Sequence, residues 1–370
     1  MRAPFLTPAA RRGGGSGILA RMTALLPFVV GPLRGLLETP GVTDVLVNGP
    51  DEVWIDRGMG LERAAVGFCS AGDVRELAVR LASLGGRRLD DACPLVDARL
   101  PDGTRLHAAL PPVVDGCAAI SLRTVRRGAL TLEDLELCGT LAPGLAPVLA
   151  GLVAGRASLL ITGATGSGKT TLLASLLSLV DPAERIVVIE EAGEVNPNHP
   201  HVVRLVERRA NVDGAGAVEV SRLVREALRM RPDRIVLGEC RGPEVRDVLT
   251  ALNTGHRGGM ATLHANAPAD VPARLAALGA LAGMDARATD LHAAAAFEAV
   301  IHLEKTAAGR RVTEVAILRA DEGRRAARLR VRAALTVGAD GRVEVGPAWP
   351  EIEALLPAAS DTGAALGFAA

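Results

Sequence analysis

Short apolar runs alternate with amphipathic segments along most of this chain, a pattern that predicts an α/β protein. Between residues 42 and 127, VTDVLVNG and DEVWIDRG place an apolar side chain at every second position around an Asn-Gly-Pro-Asp turn, which is typical of paired strands. AGDVRELAVRLASLGG carries its apolar residues on one helical face and ends at two glycines. VDARL, TRLHAAL and AAISLRTV indicate further strands, so this part predicts a small α/β domain.

The second half of the chain contains four short, apolar-rich runs, ASLLIT, RIVVIE, RIVLGE and GMATLHA, with helical patterns between several of them. Strands that are apolar on both faces are typical of a mainly parallel sheet with helices on both faces. In such a sheet, ligands bind at the carboxyl ends of the strands. The residues that end these runs are therefore the candidates for chemistry.

These patterns divide the chain into five parts. We expect a flexible or helical head over residues 1–40, the small α/β domain over 41–127, and a linker with short helices over 128–155. A larger α/β domain follows over 156–345 and ends in arginine-rich strands, and a loose tail covers 346–370.

The composition narrows the possible functions. Acidic and basic residues balance at 42 each, and the chain has five Phe, two Trp and no Tyr, so we expect no nucleic-acid partner. The five cysteines include no Cys-x-x-Cys pair, which fits neither a disulfide framework nor a structural zinc site. No run reaches the roughly 18 apolar residues of a membrane span, so we expect a cytoplasmic protein.

The run ASLLIT continues directly into GATGSGKTT and then into an apolar helical segment. This G-x-x-x-x-G-K-T pattern between a strand and a helix predicts a phosphate-binding loop (P-loop). Its residues are Gly163, Ala164, Thr165, Gly166, Ser167, Gly168, Lys169, Thr170 and Thr171. Backbone amides of such a loop bind phosphate oxygens, its lysine contacts the β- and γ-phosphates, and its threonine hydroxyl binds Mg²⁺.

Only two of the 42 basic residues are lysines, Lys169 and Lys305, so a lysine at this position of the motif supports a phosphate-binding role. We predict that the protein binds ATP and Mg²⁺.

Hydrolysis of ATP requires a carboxylate that acts on water and a group that holds Mg²⁺. RIVVIE ends at Glu190, which Glu191 follows, and RIVLGE ends at Glu239. Because parallel strands end at one edge of a sheet, we expect these carboxylates beside the γ-phosphate. The alternative for each is a solvated strand end or a helix cap.

Two histidines lie in LNTGHRGGMATLHANAP, where His256 precedes the expected strand and His264 ends it. One interpretation of His264 is a hydrogen-bonding group near the γ-phosphate whose contact differs between ATP and ADP. A second interpretation is an ordinary polar strand end. A third, a metal ligand, lacks the additional ligands that a zinc site requires.

Four segments, GATGSGKTT, VVIEEAGEV, ALRMRPDRIVLGECRG and NTGHRGGMATLHANAP, resemble in order and spacing the signature motifs of the type II/type IV secretion ATPases. VTDVLVNGPDEVWIDR, PLVDARLPDGTRLHAALPPV and ISLRT resemble the N-terminal domain of the tight-adherence (CpaF-like, TadA) branch. The resemblance covers roughly residues 40 to 320. It implies a RecA-like P-loop NTPase core after a smaller α/β N-terminal domain, in a hexameric ring. Residues 286–300 are richer in alanine than the family pattern.

The resemblance also implies roles for single residues. Glu190 corresponds to the general base, and Glu239 to the residue that holds Mg²⁺ through water. His264, together with His256, belongs to the motif that relates the bound nucleotide to subunit conformation.

Four arginines complete the implied site. Arg105, Arg123 and Arg209 fall where the family's charge-stabilising, nucleotide-binding arginines lie, and Arg241 joins the catalytic group beside Glu239. The alternative for each is a surface charge in an arginine-rich protein.

The implied function is ATP hydrolysis by a ring motor that moves its N-terminal domain against its C-terminal domain. The load would be assembly of a tight-adherence pilus or a related secretion apparatus, through an inner-membrane platform protein at the inner face of the cytoplasmic membrane. Two alternatives remain: a RecA-like DNA translocation or conjugation ATPase, and a non-hydrolysing nucleotide-dependent assembly module. The neutral charge opposes the first, and the two strand-end glutamates oppose the second.

Overall fold

A computed structural model describes residues 30–58, 60–124, 128–208, 210, 215–306, 309–321 and 328–357. The chain divides between residues 125 and 126 into two compact units. Residues 1–29 of the expected head and 358–370 of the expected tail lie outside the described residues.

The first unit is a six-stranded antiparallel sheet with a helix against one face. Its elements are α1 (Arg34–Glu38), β1 (Asp44–Gly49), β2 (Glu52–Asp56), β3 (Leu61–Arg63), α2 (Ala71–Leu84), β4 (Leu95–Arg99), β5 (Arg105–Ala109) and β6 (Ala119–Arg123). The strand order is β3-β2-β1-β6-β5-β4. Alternate residues of β1, β5 and β6 are buried in a cluster that includes the apolar face of α2. The strands and the helix predicted for residues 42–127 are present, and β3 is an addition at the edge.

The second unit is built on a nine-stranded sheet. Its elements are α3 (Leu132–Leu137), α4 (Leu145–Ala154), β7 (Leu159–Gly163), α5 (Lys169–Leu177), β8 (Ile186–Glu190), β9 (Val202–Val206), α6 (Val220–Ala227), β10 (Arg234–Cys240), α7 (Glu244–Asn253), β11 (Met260–His264), α8 (Val271–Leu281), α9 (Ala286–Ala296), β12 (Ala299–Thr306), β13 (Gly309–Asp321), β14 (Arg328–Val337), β15 (Val343–Val345) and α10 (Trp349–Glu353).

The order of the strands confirms the predicted mainly parallel sheet. It is β15-β14-β13-β12-β7-β11-β10-β8-β9, in which the six strands from β12 to β9 are parallel and the other three are antiparallel. Leu159 and Ile161 of β7 lie in one hydrophobic cluster and Leu160 lies in another, so both faces of the sheet are covered. This is the predicted α/β fold class.

The expected linker and the first residues of the expected loose tail both contribute to the core of the second unit. The expected linker contains α3 and α4, whose buried residues include Leu145, Leu149 and Leu152 on one helical face. The first residues of the expected tail form α10, where Ile352 is fully buried. Leu356 packs on α4, because a Cβ added at Gly151 would lie 2.9 Å from its Cδ2. Apolar side chains at helical spacing in both segments favour packing against the core. The proline and glycine residues of these segments obscured that helical pattern in the sequence.

Candidate functional site

The carboxyl ends of the central parallel strands meet at one edge of the large sheet. β11 pairs with β7 so that His264 lies opposite Gly163, the first residue of the P-loop. β8 ends at Glu190, and β10 carries Glu239 close to its end. The structure therefore brings together the P-loop, the two glutamates and the second histidine, all of which were predicted at this edge.

Glycines allow the P-loop to fold tightly between β7 and α5. Gly163 has a φ of 150°, and a Cβ at this position would lie 2.3 Å from the Leu303 carbonyl oxygen and 2.5 Å from Ser167 Oγ. Gly168, which precedes α5, has a φ of 101°. Residues other than glycine are disfavoured at both positions. The loop can therefore bring its backbone amides to the N-terminus of α5, where they can bind phosphate.

Lys169 is the first residue of α5, and its ammonium group turns back toward the loop. Its Nζ donates hydrogen bonds of 2.9 Å to the carbonyl oxygens of Gly163 and Ala164, and lies 3.4 Å from Nδ1 of His264. Burial lowers the pKa of Lys169, and the carboxylate of Glu239 opposes this effect. The lysine is thus a buried cation that is held at the phosphate cradle.

Glu239 joins the lysine, the histidine and an arginine into one network. Its Oε1 is in close contact with Nε2 of His264, and its Oε2 lies 2.6 Å from Nη2 of Arg241. Arg241 also donates to Glu191 Oε2 at 3.1 Å. Burial lowers the pKa of His264 and the charge of Lys169 lowers it further, whereas Glu239 raises it. These effects favour a neutral imidazole that bridges the P-loop lysine and the glutamate.

Glu190 is 6% exposed and presents its two carboxylate oxygens differently. Oε1 accepts hydrogen bonds from the amides of Glu194 and Val195 at 2.7 and 2.8 Å, whereas Oε2 is buried and has no partner among the described residues. Burial raises the pKa of this carboxyl group, which its backbone hydrogen bonds partly offset. One oxygen is anchored and the other can accept a proton.

The oxygen donors at this edge are of the kind that Mg²⁺ prefers. The Thr170 hydroxyl lies in the first turn of α5, and Glu239 supplies a carboxylate beside Lys169. Together with water and phosphate oxygens they suit this ion, so the donor set fits the predicted cofactor. Among the described residues, no group of three or more His, Cys, Asp and Glu side chains could hold a metal ion by itself.

The structure does not bring His256 to this edge. It lies before β11, where its Nδ1 is 3.2 Å from the Ala251 carbonyl oxygen. The nearby amide of Gly258 bonds to Ser158, which precedes β7. A five-residue strand spans about 16 Å, so His256 lies at the opposite, amino edge of the sheet from the P-loop. Within one chain, the placement of His256 beside the nucleotide is therefore wrong.

The predicted arginines have different positions. Arg241 belongs to the Glu239 network. Arg105 and Arg123 are directly paired on β5 and β6 of the first unit, and Arg123 donates to Asp44 at 2.9 Å. Arg209 lies outside the described residues.

Three residues near the site were not identified from the sequence. Arg310 donates from Nε to the Gly166 carbonyl oxygen at 2.9 Å. The buried His302 of β12 lies 2.8 Å from the Thr162 hydroxyl, just before the P-loop. A Cβ at Gly238 would lie 2.8 Å from Cγ of Glu190. Each contact joins residues that are far apart in the sequence, so no local pattern predicts it. Arg310 is also one of many arginines in the chain, and nothing in the sequence distinguishes it.

Within the described part of the chain, no helix is both long and apolar enough to cross a membrane.

Comparison with known proteins agrees with these findings. A family model described as "Type II/IV secretion system protein" matches residues 30–345. A putative conjugal transfer protein of Mycobacterium tuberculosis is 50% identical over 320 residues, which cover 84% of this chain and 91% of that protein. Protein VirB11 of Rhizobium radiobacter is 30% identical over 269 residues, which cover 66% of this chain and 78% of that protein.

Two solved structures share the fold. The DotB ATPase of Legionella pneumophila aligns with a TM-score of 0.53 and 19% identity, over 84% of this chain and 83% of that one. The pilus retraction motor PilT with bound ADP aligns with a TM-score of 0.50 and 19% identity, over 88% and 84%. At this identity they support the fold alone.

Proposed function

This chain belongs to the type II/IV secretion system protein family, and we propose that it is an ATPase that works as a ring motor. The observation that carries the proposal is the contact of Lys169 with His264 and of His264 with Glu239 at the P-loop. Glu190, with one free oxygen, ends a strand at the same edge. A protein that only binds nucleotide requires neither carboxylate.

The chemistry follows from these positions. P-loop amides and Lys169 bind the phosphates of ATP. Thr170 and, through water, Glu239 would hold Mg²⁺, which would neutralise negative charge on the phosphates. Glu190 Oε2 accepts a proton from the attacking water as the bond between the γ-phosphorus and the bridging oxygen breaks. Its raised pKa suits a general base better than that of an exposed glutamate.

His264 responds to the bound nucleotide, and Arg241 stabilises the negative charge at this edge. Since His264 touches both Lys169 and Glu239, a change at the γ-phosphate alters its contacts, which gives the protein a link from nucleotide state to conformation. Arg241 neutralises Glu239 and Glu191. Charge-stabilising roles for Arg105, Arg123 and Arg209 are part of the same proposal.

The load that we propose is a tight-adherence pilus or a related secretion apparatus. A homo-hexamer would act from the cytoplasm on an inner-membrane platform protein, by motion of its N-terminal domain against its C-terminal domain. The first-half segments VTDVLVNGPDEVWIDR and PLVDARLPDGTRLHAALPPV support this branch. The balance of 42 acidic and 42 basic residues supports a protein rather than a nucleic-acid load.

The experiment is Mg-ATP hydrolysis per subunit over a range of protein concentrations, with the oligomer mass followed in parallel. We expect the rate per subunit to rise as the ring assembles and to vanish in Lys169→Ala. A rate that does not depend on assembly contradicts the ring motor. ATP binding without turnover, in the presence of membranes that carry the platform protein, favours the assembly module instead.

A second candidate is a conjugation ATPase, because the relative that is 50% identical is named a putative conjugal transfer protein. Stimulation of hydrolysis by single- or double-stranded DNA at physiological salt distinguishes the two. We expect none, and a several-fold stimulation would replace the pilus proposal with the conjugation one.

A further inference from the structure

The hairpin of β12 and β13 borders one side of the P-loop. β12 pairs with β7 so that Leu303 lies opposite Gly163. The side chain of Leu303 also lies near the other end of the loop, since a Cβ at Gly168 would be 3.7 Å from its Cδ2. Residues that follow Leu303 on the same face of β12 are therefore directed past the phosphate cradle.

Arg310 extends along this loop from β13. Its Cδ would lie 3.3 Å from a Cβ at Gly168, and its Nε donates to the Gly166 carbonyl oxygen at 2.9 Å. The terminal nitrogens Nη1 and Nη2 have no hydrogen-bond partner among the described residues. The guanidinium plane is thus held at the rim of the loop with two donors available.

A second cation accompanies it. Lys305, one of only two lysines in the chain, is directly paired with Arg310 across the two strands, so both side chains lie on the same face. The side chain of Lys305 is exposed, and its ammonium group makes no hydrogen bond or ion pair within the described residues. The next pair, Glu304 with Arg311, joins opposite charges. Like charges directly opposite each other are unfavourable unless an anion binds them.

We infer that Arg310 and Lys305 bind the phosphate groups of the nucleotide at the rim of the P-loop, in addition to Lys169. The inference rests on the proposed function, because it takes ATP or ADP as the anion. A guanidinium that is held at Nε offers two parallel N–H donors, which match the oxygens of one phosphate group. Lys305 adds a mobile point charge beside it.

The test is equilibrium binding of fluorescently labelled ADP with Mg²⁺ to the full chain, at several salt concentrations. Arg310→Ala should weaken binding about tenfold and Lys305→Ala about threefold, and both should reduce the dependence of Kd on salt. The matched control is Arg311→Ala, because Arg311 points away and donates to the carbonyl oxygens of Gly338 and Ala339. We expect its Kd to stay within about twofold of wild type.

Three results overturn the inference. An unchanged Kd in Arg310→Ala does so directly. A weaker Kd with an unchanged salt dependence and a lower Tm shows that Arg310 only supports the loop, and Arg310→Lys then fails to restore binding. An unchanged Kd with a smaller oligomer mass shows that the cations pair with acidic groups of a second copy.

Lys169→Ala separates this inference from the proposed function. If wild type binds ADP, Lys169→Ala does not and Arg310→Ala binds like wild type, the inference alone is wrong. If wild type binds no nucleotide, both the inference and the proposed function are wrong.

Discussion

The two carboxylate oxygens of Glu190 have different surroundings, which gives them different chemical roles. Backbone amides hold Oε1 in place, and Oε2 is left as the basic atom. Glu190→Gln keeps the anchored oxygen but cannot accept a proton. We expect kcat to fall about 100-fold or more while the Kd for ATP stays within about threefold. Steady-state hydrolysis and ATP binding check this, with the exposed Glu226→Gln as control. Turnover near the wild-type rate removes Glu190 from the catalytic group.

The same substitution should stabilise the fold in a pH-dependent way. Because burial raises the pKa of Glu190 in the folded state, the folded protein holds this proton more tightly than the unfolded chain. The stability linked to this group is complete below the unfolded pKa of about 4.3, and it is lost as pH rises through the higher folded pKa. Glu190→Gln does not titrate. Its free energy of unfolding should therefore exceed that of wild type at pH 8, and the difference should shrink as pH falls toward 5. Urea denaturation at both pH values measures this difference, and a constant difference contradicts it.

His264 is the residue whose role the sequence left most open. The structure gives it contacts with Lys169 and Glu239, which favours a coupling role over an ordinary strand end. His264→Ala should lower kcat about tenfold or more and leave ATP binding within about threefold, because it removes a contact and not a phosphate ligand. His292→Ala, at an exposed position of α9, is the control. If His264→Ala keeps the wild-type kcat, and its rate per subunit still rises as the ring assembles, the residue is only a polar strand end.

At the scale of elements, the strands of the large sheet were the most predictable feature. β7, β8, β10 and β11 are short and apolar on both faces, and each is followed by polar or glycine-rich residues. β12 was missed because it follows the alanine-rich helix α9 with only two residues between them. β9, an edge strand, is only partly buried and lacks the strong apolar signal of the central strands.

Gly238 links two neighbouring strands at the site. It lies on β10, where a Cβ would come 2.8 Å from Cγ of Glu190 on β8. Gly238→Ala should displace the Glu190 side chain, and we expect kcat to fall about tenfold or more with little change in ATP binding. Gly35→Ala is the control, since a Cβ there meets nothing within 4 Å. Wild-type kcat in Gly238→Ala would show that the glutamate tolerates the shift.

The C-terminal helix α10 is a structural element and not part of a loose tail. Ile352 is fully buried in the cluster that also contains α4. Ile352→Ala should destabilise the protein by about 2–5 kcal/mol, because it removes buried methyl groups and leaves a cavity. Chemical denaturation measures this, and Leu137→Ala is the control, as Leu137 is 88% exposed. A loss below about 0.5 kcal/mol would mean that α10 is not packed as described.

For the whole molecule, the sequence predicted which residues meet at the site only where sheet topology brings them together. Parallel strands share a carboxyl edge, so Glu190, Glu239 and His264 could be assigned from their positions at strand ends. His256 was misplaced because sequence proximity to His264 hides the length of the intervening strand. Arg310 comes from an antiparallel extension whose register no local pattern specifies.

The two tryptophans allow the response of each unit to nucleotide to be followed separately, because Trp54 lies on β2 of the first unit and Trp349 on α10 of the second. At a concentration of about 100 times its Kd, Mg-ADP should stabilise the folded state by about 2.7 kcal/mol.

In Trp54→Phe, the unfolding temperature followed by the fluorescence of Trp349 should rise with Mg-ADP, and Lys169→Ala should abolish the rise. In Trp349→Phe, we expect a smaller shift at Trp54 that Arg123→Ala removes, since Arg123 is proposed to bind the nucleotide. A shift at Trp349 without one at Trp54 would retain the P-loop assignment and reject the proposed role of the first-unit arginines.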